Sequence, residues 1–317
     1  MNHALIKNYA AIDFETASDD RRSVVSIGVA KRVNGEIVSK EWIVQPPHDT
    51  EFKMEQHIEL HGITKDMVED APYFPEIWDE VMAFLGEGVT LVAHNADNTE
   101  NACLNKLFEY YRQDMIHRHL HHEKVVCSMK YAKERIPKYY THGLAYLAKQ
   151  FGLTLRNHHN AKSDAETALL VYERLRNDGF VKEILQHQDE CIRRFYRLEP
   201  NGQLNGMNIT LTLNLEIGCG VLQKESDFRA LVERFGGTFK NNYTDSVHLV
   251  IAGVGKKYKI DQGDMWEHYQ NWLRAHKESA SQEELDSLEL LLTEKIKKAH
   301  RNGKKIVSSQ MFLDMLR

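Results

Sequence analysis

The sequence predicts an α/β protein: a mixed sheet flanked by helices, followed by a small second α/β domain. Three observations lead there. Three consecutive runs rich in β-branched and aromatic residues open the chain, at residues 9–14, 24–32 and 37–44. Beyond them, short apolar runs alternate with helix-length segments, the pattern of helices packed on a sheet. A polar stretch rich in turn formers, Glu199-Pro200-Asn201-Gly202-Gln203-Leu204-Asn205-Gly206, then divides the chain.

Each element has its own local reason. Asn34-Gly35 between the second and third runs is a strong hairpin signal, so these strands should pair antiparallel. Pro46-Pro47 ends the third strand because proline cannot donate to a ladder. Helix is expected over 75–85, a buried strand over 89–93, helix over 98–112 and a short strand over 125–127. A helix over 144–151 stops at Gly152. A long amphipathic helix over 161–175 continues in pieces towards Arg197. After the polar stretch come a strand (208–215), a helix (226–235), Gly236-Gly237 and a strand (247–251). A charged, mostly helical segment (256–292) follows, then a basic helix (293–301), a strand (305–307) and a last helix (309–316). The expected division is 1–180, an extension and linker over 181–206, and a second domain over 207–317 with 256–292 inserted.

Composition narrows the function classes. A chain of 317 residues with 42% hydrophobic and 27% charged residues can bury two ordinary cores. A formal net charge of −5 excludes a wholesale basic nucleic-acid coat, so nucleic-acid contact must be local or mediated by cations. Cys103, Cys127, Cys191 and Cys219 are far apart and in no metal-type spacing. They suggest a reduced, cytoplasmic protein. The start of the sequence has no apolar signal core, and no apolar run approaches membrane-spanning length, so no membrane partner is expected.

Chemistry concentrates at three places. Asp13 and Glu15 alternate on the first strand and share a face, where two acids repel unless a cation binds between them. The plain alternative is an acidic strand end in solvent. His94-Asn95-Ala96, with Asp97 and Glu100, follows a buried strand and opens a helix, where acids also serve as caps or dipole partners. His159 lies on the loop before a helix and Asp164 about one turn inside it, which suits a base beside a metal ligand. Two further stretches stand out. His117, His119, His121 and His122 are either a transition-metal site or a solvated loop. Arg118, Lys124, Lys130, Lys133, Arg135 and Lys138, with Tyr139 and Tyr140, are either a nucleic-acid track or a solvated helix face.

Taken in order, Asp13-Phe14-Glu15-Thr16, Ser26-Ile27-Gly28-Val29, Trp42, His61-Gly62-Ile63-Thr64 with Ala71-Pro72, His94-Asn95-Ala96, and His159 with Asp164 resemble the DnaQ-like (DEDDh) 3′→5′ exonucleases. That is the group of the proofreading subunit and ribonuclease T. The resemblance covers about residues 7–178 and implies a ribonuclease H-like mixed sheet. It implies two Mg²⁺ or Mn²⁺ ions held by Asp13, Glu15, Asp164 and a fourth acid. It makes His159 the general base and nucleoside 5′-monophosphates the product, released from single-stranded or 3′-ended DNA or RNA. Thr16, Phe14, His61 and Ile63 would line the terminal nucleotide, with the alternative for Phe14 that it is only core, since it alternates away from the acids. The second motif departs from the family's His-Asn-Ala-x-Phe-Asp. Counting back from Leu104-Asn105-Lys106-Leu107 inserts one residue and puts Glu100 in the aspartate's place, with Asp97 the competitor.

Over about 207–317, Leu231–Thr238, Asp245–Ile251, Lys298-Ala299, Gly303, Lys305-Ile306-Val307 and Phe312 resemble a BRCT domain. Phe312 stands where that family has a late tryptophan. Thr293 and Lys295 match its Thr-x-Lys phosphate contact, and Thr212 is a candidate for the first strand's hydroxyl, although the family's glycine after that hydroxyl is missing; the plain alternative is a helix-capping threonine and an exposed lysine. The resemblance implies recruitment to a protein or DNA partner. Two other readings compete with the exonuclease: a silenced nuclease fold acting as a scaffold, and an adaptor binding phosphopeptides or DNA.

Overall fold

The structure, a computed structural model, describes residues 3–50, 54–113, 124–254, 269–271, 274 and 292–317. The His117–His122 cluster with Arg118, and nearly all of the 256–292 insertion, lie outside the described residues. The chain forms two compact units: residues 1–135 with 142–181, and residues 136–141 with 182–317.

The first unit opens with β1 (Tyr9–Thr16), β2 (Val24–Val33) and β3 (Glu36–Ile43), an antiparallel meander. Val33 pairs with Glu36, leaving Asn34 and Gly35 as a two-residue turn with φ of +52° and +88°. Positive φ at both central positions is what the right-handed strand twist demands of such a turn. Helices α1 (Met54–His61), α2 (Lys65–Val68) and α3 (Phe74–Leu85) lead to β4 (Thr90–Ala93). Then come α4 (Glu100–Tyr111), β5 (Val126–Cys127), α5 (Ser128–Arg135), α6 (Leu144–Gln150) and α7 (Ala161–Arg176), followed by α8 (Asp178–Tyr196), most of which belongs to the second unit. The sheet order is β3-β2-β1-β4-β5, with β4 parallel to β1 and β5 parallel to β4.

One face of β1 supplies Ile12 and Phe14 to a core shared with Phe74, Trp78, Leu104 and Phe108. Each such side chain, fully buried, stabilises the fold by about 1.5–3 kcal/mol. The edge-to-face packing of Trp78 on Phe108, 5.5 Å between centroids, fixes α3 against α4. The sequence reading missed α1 and α2; only Val68 of α2 is buried. Neither helix carries a strong apolar period in its sequence.

The second unit contains β6 (Asn208–Thr212), a small hairpin of β7 (Leu215–Glu216) and β8 (Leu222–Gln223), α9 (Glu225–Arg234) and β9 (Thr238–Phe239). It continues with β10 (Leu249–Ala252), α10 (Glu294–Arg301), β11 (Lys305–Ser308) and α11 (Ser309–Met315). Its four-stranded sheet is wholly parallel, in the order β11-β10-β6-β9. The central β10 is apolar throughout: Leu249 and Ile251 enter one core, Val250 and Ala252 the other. A parallel strand covered on both faces reads as such a continuous run. Phe312 is fully buried and packs edge-on to Phe228, 5.6 Å between centroids. Leu204, in the polar stretch between the domains read from sequence, is buried in this core with Phe195 of α8.

Cys191 and Cys219, expected from the sequence to be reduced, are instead joined as a disulfide. Their separation of 28 residues hides a proximity that only the fold creates. Among the described residues no helix is long and apolar enough to cross a membrane.

Candidate active site

Strand β1 carries the acids. Alternation sends Ile12 and Phe14 into the core and Asp13 and Glu15 to the opposite face. Phe14 therefore lies in the core and away from the acid face. Gly28 pairs with Asp13 in the β1–β2 ladder. A Cβ on Gly28 would lie 2.1 Å from the backbone of Ala161, so glycine is what lets α7 start directly on the strand. That close approach delivers Asp164 from the first turn of α7. Carboxylate oxygens of Asp13, Glu15 and Asp164 come within 4.8 Å of one another.

Glu100 opens α4 and is only 1% exposed. The nearby backbone N–H groups of Glu100 itself and of Phe14 only partly offset the effect of that burial on its pKa. Its Oε2 is buried with no hydrogen-bond partner among the described residues. Burial, and then the charges of Glu100, Glu15 and Asp164, hold the Asp13 carboxyl well above its ordinary range. Burial and Asp164 push Glu15 up to about 8; burial and Glu15 push Glu100 up to about 8. Four acids so placed cannot all ionise without a compensating cation. The donors are all carboxylate oxygens, the chemistry that hard divalent cations such as Mg²⁺ and Mn²⁺ accept. The residues fit such ions, and the orphaned Glu100 oxygen is the most direct sign of it.

Asp97 goes elsewhere. Its carboxylate pairs with Lys130 and, at 3.6 Å, with Lys124, and accepts from Asn101 Nδ2 at 3.1 Å. The Lys130 hydrogen bond holds it below its ordinary range. The segment leading into α4 takes a widened turn. Asn95 adopts φ +68°, and the Asn101 N–H reaches back five residues to Ala96 O at 2.7 Å. That is one residue wider than an α-helical turn. His94 is not part of the acid cluster. Its Nε2 lies 2.7 Å from the carbonyl of His142, to which it must donate, and its Nδ1 lies 2.9 Å from Ser128 Oγ. Burial lowers its pKa to about 4, so it is a neutral strut.

The loop before α7 brings two imidazoles to Asp164. The His159 backbone N–H donates to Asp164 Oδ2 at 3.1 Å, from a left-handed φ of +67°. His158 Nδ1 lies 2.9 Å from the same oxygen, and the two rings stack at 3.9 Å. Sequence reasoning singled out His159 alone; the adjacent His158 was visible as a second imidazole one residue nearer the chain start. It also missed the clamp that starts α7. Asn160 caps the helix by accepting from Ser163 N at 3.0 Å, while its amide donates to Glu41 of β3 at 3.1 Å. Ser26 Oγ holds the same Glu41 at 2.7 Å. The asparagine before a helical run was a cap signal in the sequence; its partner on β3 was not readable.

His61 closes one side. Its Nδ1 accepts from the Ile63 N–H at 3.0 Å, so Nε2 carries the proton and donates to Thr16 O at 3.3 Å. Burial lowers its pKa, and nearby His57 and His159 lower it further. Ile63 itself packs with Ala17, Val25 and Val68. The basic, aromatic stretch is mostly tied into the fold. Lys124 and Lys130 hold Asp97, Arg135 donates to Leu175 O at 3.2 Å, Lys138 pairs with Asp189, and Tyr139 and Tyr140 are buried.

In the second unit Thr212 and Thr293 hydroxyls are 2.8 Å apart, and Thr293 caps α10. Lys295 Nζ donates to Leu211 O at 2.9 Å and Asn241 O at 2.6 Å, and burial lowers its pKa.

Residues 10–172 match the family described as Exonuclease (RNase_T). The chain is 30% identical over 185 residues to the PolC-type DNA polymerase III of Halalkalibacterium halodurans, covering 58% of this chain and 12% of that one. It is 29% identical over 182 residues to the corresponding enzyme of Streptococcus pneumoniae serotype 2, covering 56% and 11%. The chain thus spans only about an eighth or less of these relatives. Among solved structures, Exonuclease X in complex with 5′ overhanging duplex DNA is 25% identical, covering 52% of this chain and 90% of that one, at a TM-score of 0.37. E. coli exonuclease I in complex with a dT13 oligonucleotide is 12% identical, covering 62% and 47%, at 0.40.

Proposed function

The chain belongs to the exonuclease family, enzymes of the 3′→5′ hydrolase class, and on that premise we propose that its first unit removes nucleotides one at a time from 3′ ends. The substrate is single-stranded or 3′-ended DNA or RNA, the product a nucleoside 5′-monophosphate, and the compartment the cytoplasm. The observation that carries the reading is the convergence of Asp13, Glu15 and Asp164 beside a buried Glu100 oxygen that no described residue satisfies.

In this reading Asp13, Glu15, Asp164 and Glu100 hold two Mg²⁺ or Mn²⁺ ions. Bound there, the ions would supply Lewis-acid polarisation of the phosphodiester and neutralise the developing charge. His159 takes the proton of the attacking water. His158 and the His159 backbone N–H orient the Asp164 carboxylate. His61 holds the end of β1 at Thr16, so the His61–Thr64 loop walls the position of the terminal nucleotide. Glu100 stands in for the motif aspartate. Its buried placement beside Asp13 supports that assignment, and the lysine pairing of Asp97 counts against the competitor.

The second unit, in this proposal, is a BRCT-like recruitment module for a protein or DNA partner. The meeting of Thr212, Thr293 and Lys295 supports it.

The test is digestion of 5′-labelled single-stranded DNA and RNA with Mg²⁺ or Mn²⁺. A ladder shortening from the 3′ end, abolished by EDTA and by Asp13→Ala, is expected. A folded protein that leaves both substrates intact would overturn the proposal in favour of a silenced scaffold.

A further inference from the structure

The second unit brings together three side chains for which hydrolysis has no use. His187 and Cys191 are four residues apart on α8 and therefore share one face. Cys219 sits in the turn between β7 and β8, at φ +54°, between Gly218 and Gly220, whose φ values are also positive. Among the bonds that brace this turn, Gln188 Nε2 donates to Cys219 O at 3.4 Å, the Gly220 N–H donates to Glu216 Oε1 at 2.9 Å, and the Val221 N–H donates to Gly218 O at 3.1 Å. Gly218, at φ +101°, takes a conformation that side-chain-bearing residues rarely adopt, and its Cβ position lies in ordinary contact, 3.5 Å, with Cys191 Sγ, so the turn rests directly on the helix. The result is an imidazole nitrogen and two sulfurs within 4.8 Å of one another. A cavity of about 300 Å³, lined also by Leu198 and Gln310, opens beside them. The two arginines on its wall are already paired, Arg194 with Glu190 and Arg317 with Asp314.

Covalent bonding of the sulfurs does not call for the imidazole. A cation does. Two thiolates and an imidazole, with space for one more ligand, form a Cys₂His set suited to Zn²⁺. It is also the chemical opposite of the all-oxygen cluster in the first unit. We propose that in the reduced chain His187, Cys191 and Cys219 bind one zinc-class cation, with water from the cavity as fourth ligand, and that oxidation to the Cys191–Cys219 disulfide expels it. The oxidant is a small disulfide such as glutathione disulfide. One cysteine thiolate attacks it, forming a mixed disulfide and releasing one glutathione thiolate. The second cysteine thiolate then attacks the protein sulfur of that intermediate and releases the other. Two electrons pass from the cysteine pair to the oxidant, and the cation, left with a single imidazole, departs.

Cobalt(II) titration of the full reduced chain tests this. Thiolate-to-cobalt charge-transfer absorption is expected to saturate at one equivalent and to be displaced by Zn²⁺. Carboxylates and imidazoles alone do not produce that absorption, so the acid cluster of the first unit cannot imitate it. The signal should vanish in Cys191→Ser and in Cys219→Ser, weaken in His187→Ala, and persist in Cys103→Ser and Cys127→Ser. Glutathione disulfide should abolish it while peptide mapping recovers the Cys191–Cys219 cross-link. Absence of the absorption in a folded, reduced chain would overturn the proposal. So would its survival in Cys219→Ser, or a pair that resists reduction in the folded chain, which would leave a plain structural disulfide.

Discussion

The acid cluster of the first unit and the Thr212–Thr293–Lys295 cluster of the second are both built where a helix begins beside a sheet, yet they stand in opposite electrostatic conditions. In the first, acids crowd together, Glu100 Oε2 has no partner among the described residues, and three carboxyls are pushed up. In the second, the hydroxyls bond each other and the ammonium is spent on two backbone carbonyls. A buried polar group without a partner costs about 1–3 kcal/mol, so a fold that keeps one is poised for something that satisfies it. The second cluster must break its own bonds before it can hold a phosphate. The contrast explains why the two respond differently to ligand, pH and mutation.

The largest effect is expected at the shared acids. Asp13→Asn should cut exonuclease turnover by about 10³-fold or more, since members of a catalytic unit fail together. It should also raise the melting temperature of the cation-free chain, because asparagine removes a buried carboxyl that the fold otherwise holds protonated against its ordinary acidity. Single-turnover rates and calorimetry on one preparation give both readings. Next come the imidazoles. His159→Ala should cost about 10²–10⁴-fold in turnover as the loss of a general base. His158→Ala should cost about 10–100-fold, the usual penalty for losing a group that orients a ligand. Equal losses at the two positions would erase the distinction between proton acceptor and positioning residue.

Gly28→Ala sharpens the comparison from the packing side. The new methyl meets the Ala161 backbone, α7 must withdraw, and Asp164 leaves with it. A stability loss of about 1–3 kcal/mol is expected from overpacking, accompanied by loss of activity. Activity surviving in a destabilised variant would show that Asp164 does not depend on this approach. At the other cluster, Thr293→Ala should cost only about 1 kcal/mol, the value of a helix cap, read from thermal melts.

The same contrast sets a pH dependence. Glu15 and Glu100, pushed up to about 8 from 4.5, keep protons in the folded chain that the unfolded chain releases. Their contribution to stability is therefore complete below about pH 4.5 and is lost as pH rises through about 8. A divalent cation replaces those protons. The gain in melting temperature on adding Mn²⁺ should therefore be larger at about pH 8.5 than at about pH 6. A gain independent of pH would contradict the coupling.

Much of this was legible in the sequence because it is local. Alternation on β1 placed Asp13 and Glu15 on one face, Asn34-Gly35 announced the hairpin, and the apolar period over 161–175 announced α7. What was not legible depends on distance across the fold. The choice between Glu100 and Asp97 turns on Lys124 and Lys130, which lie on and before α5, and on a widened turn that no residue type declares. Glu41 reaches Asn160 across 119 positions. Cys191 meets Cys219 because α8 and the β7–β8 turn belong to one core, a fact that spacing along the chain conceals.

The assignment of Glu100 as the fourth acid is the central claim, and Mn²⁺ titration calorimetry on the full chain, on Glu100→Gln and on Asp97→Asn tests it most directly. The expected result is two strong equivalents in the unaltered chain and in Asp97→Asn, with one lost or severely weakened in Glu100→Gln. Loss of an equivalent in Asp97→Asn, with Glu100→Gln unaffected, would contradict it.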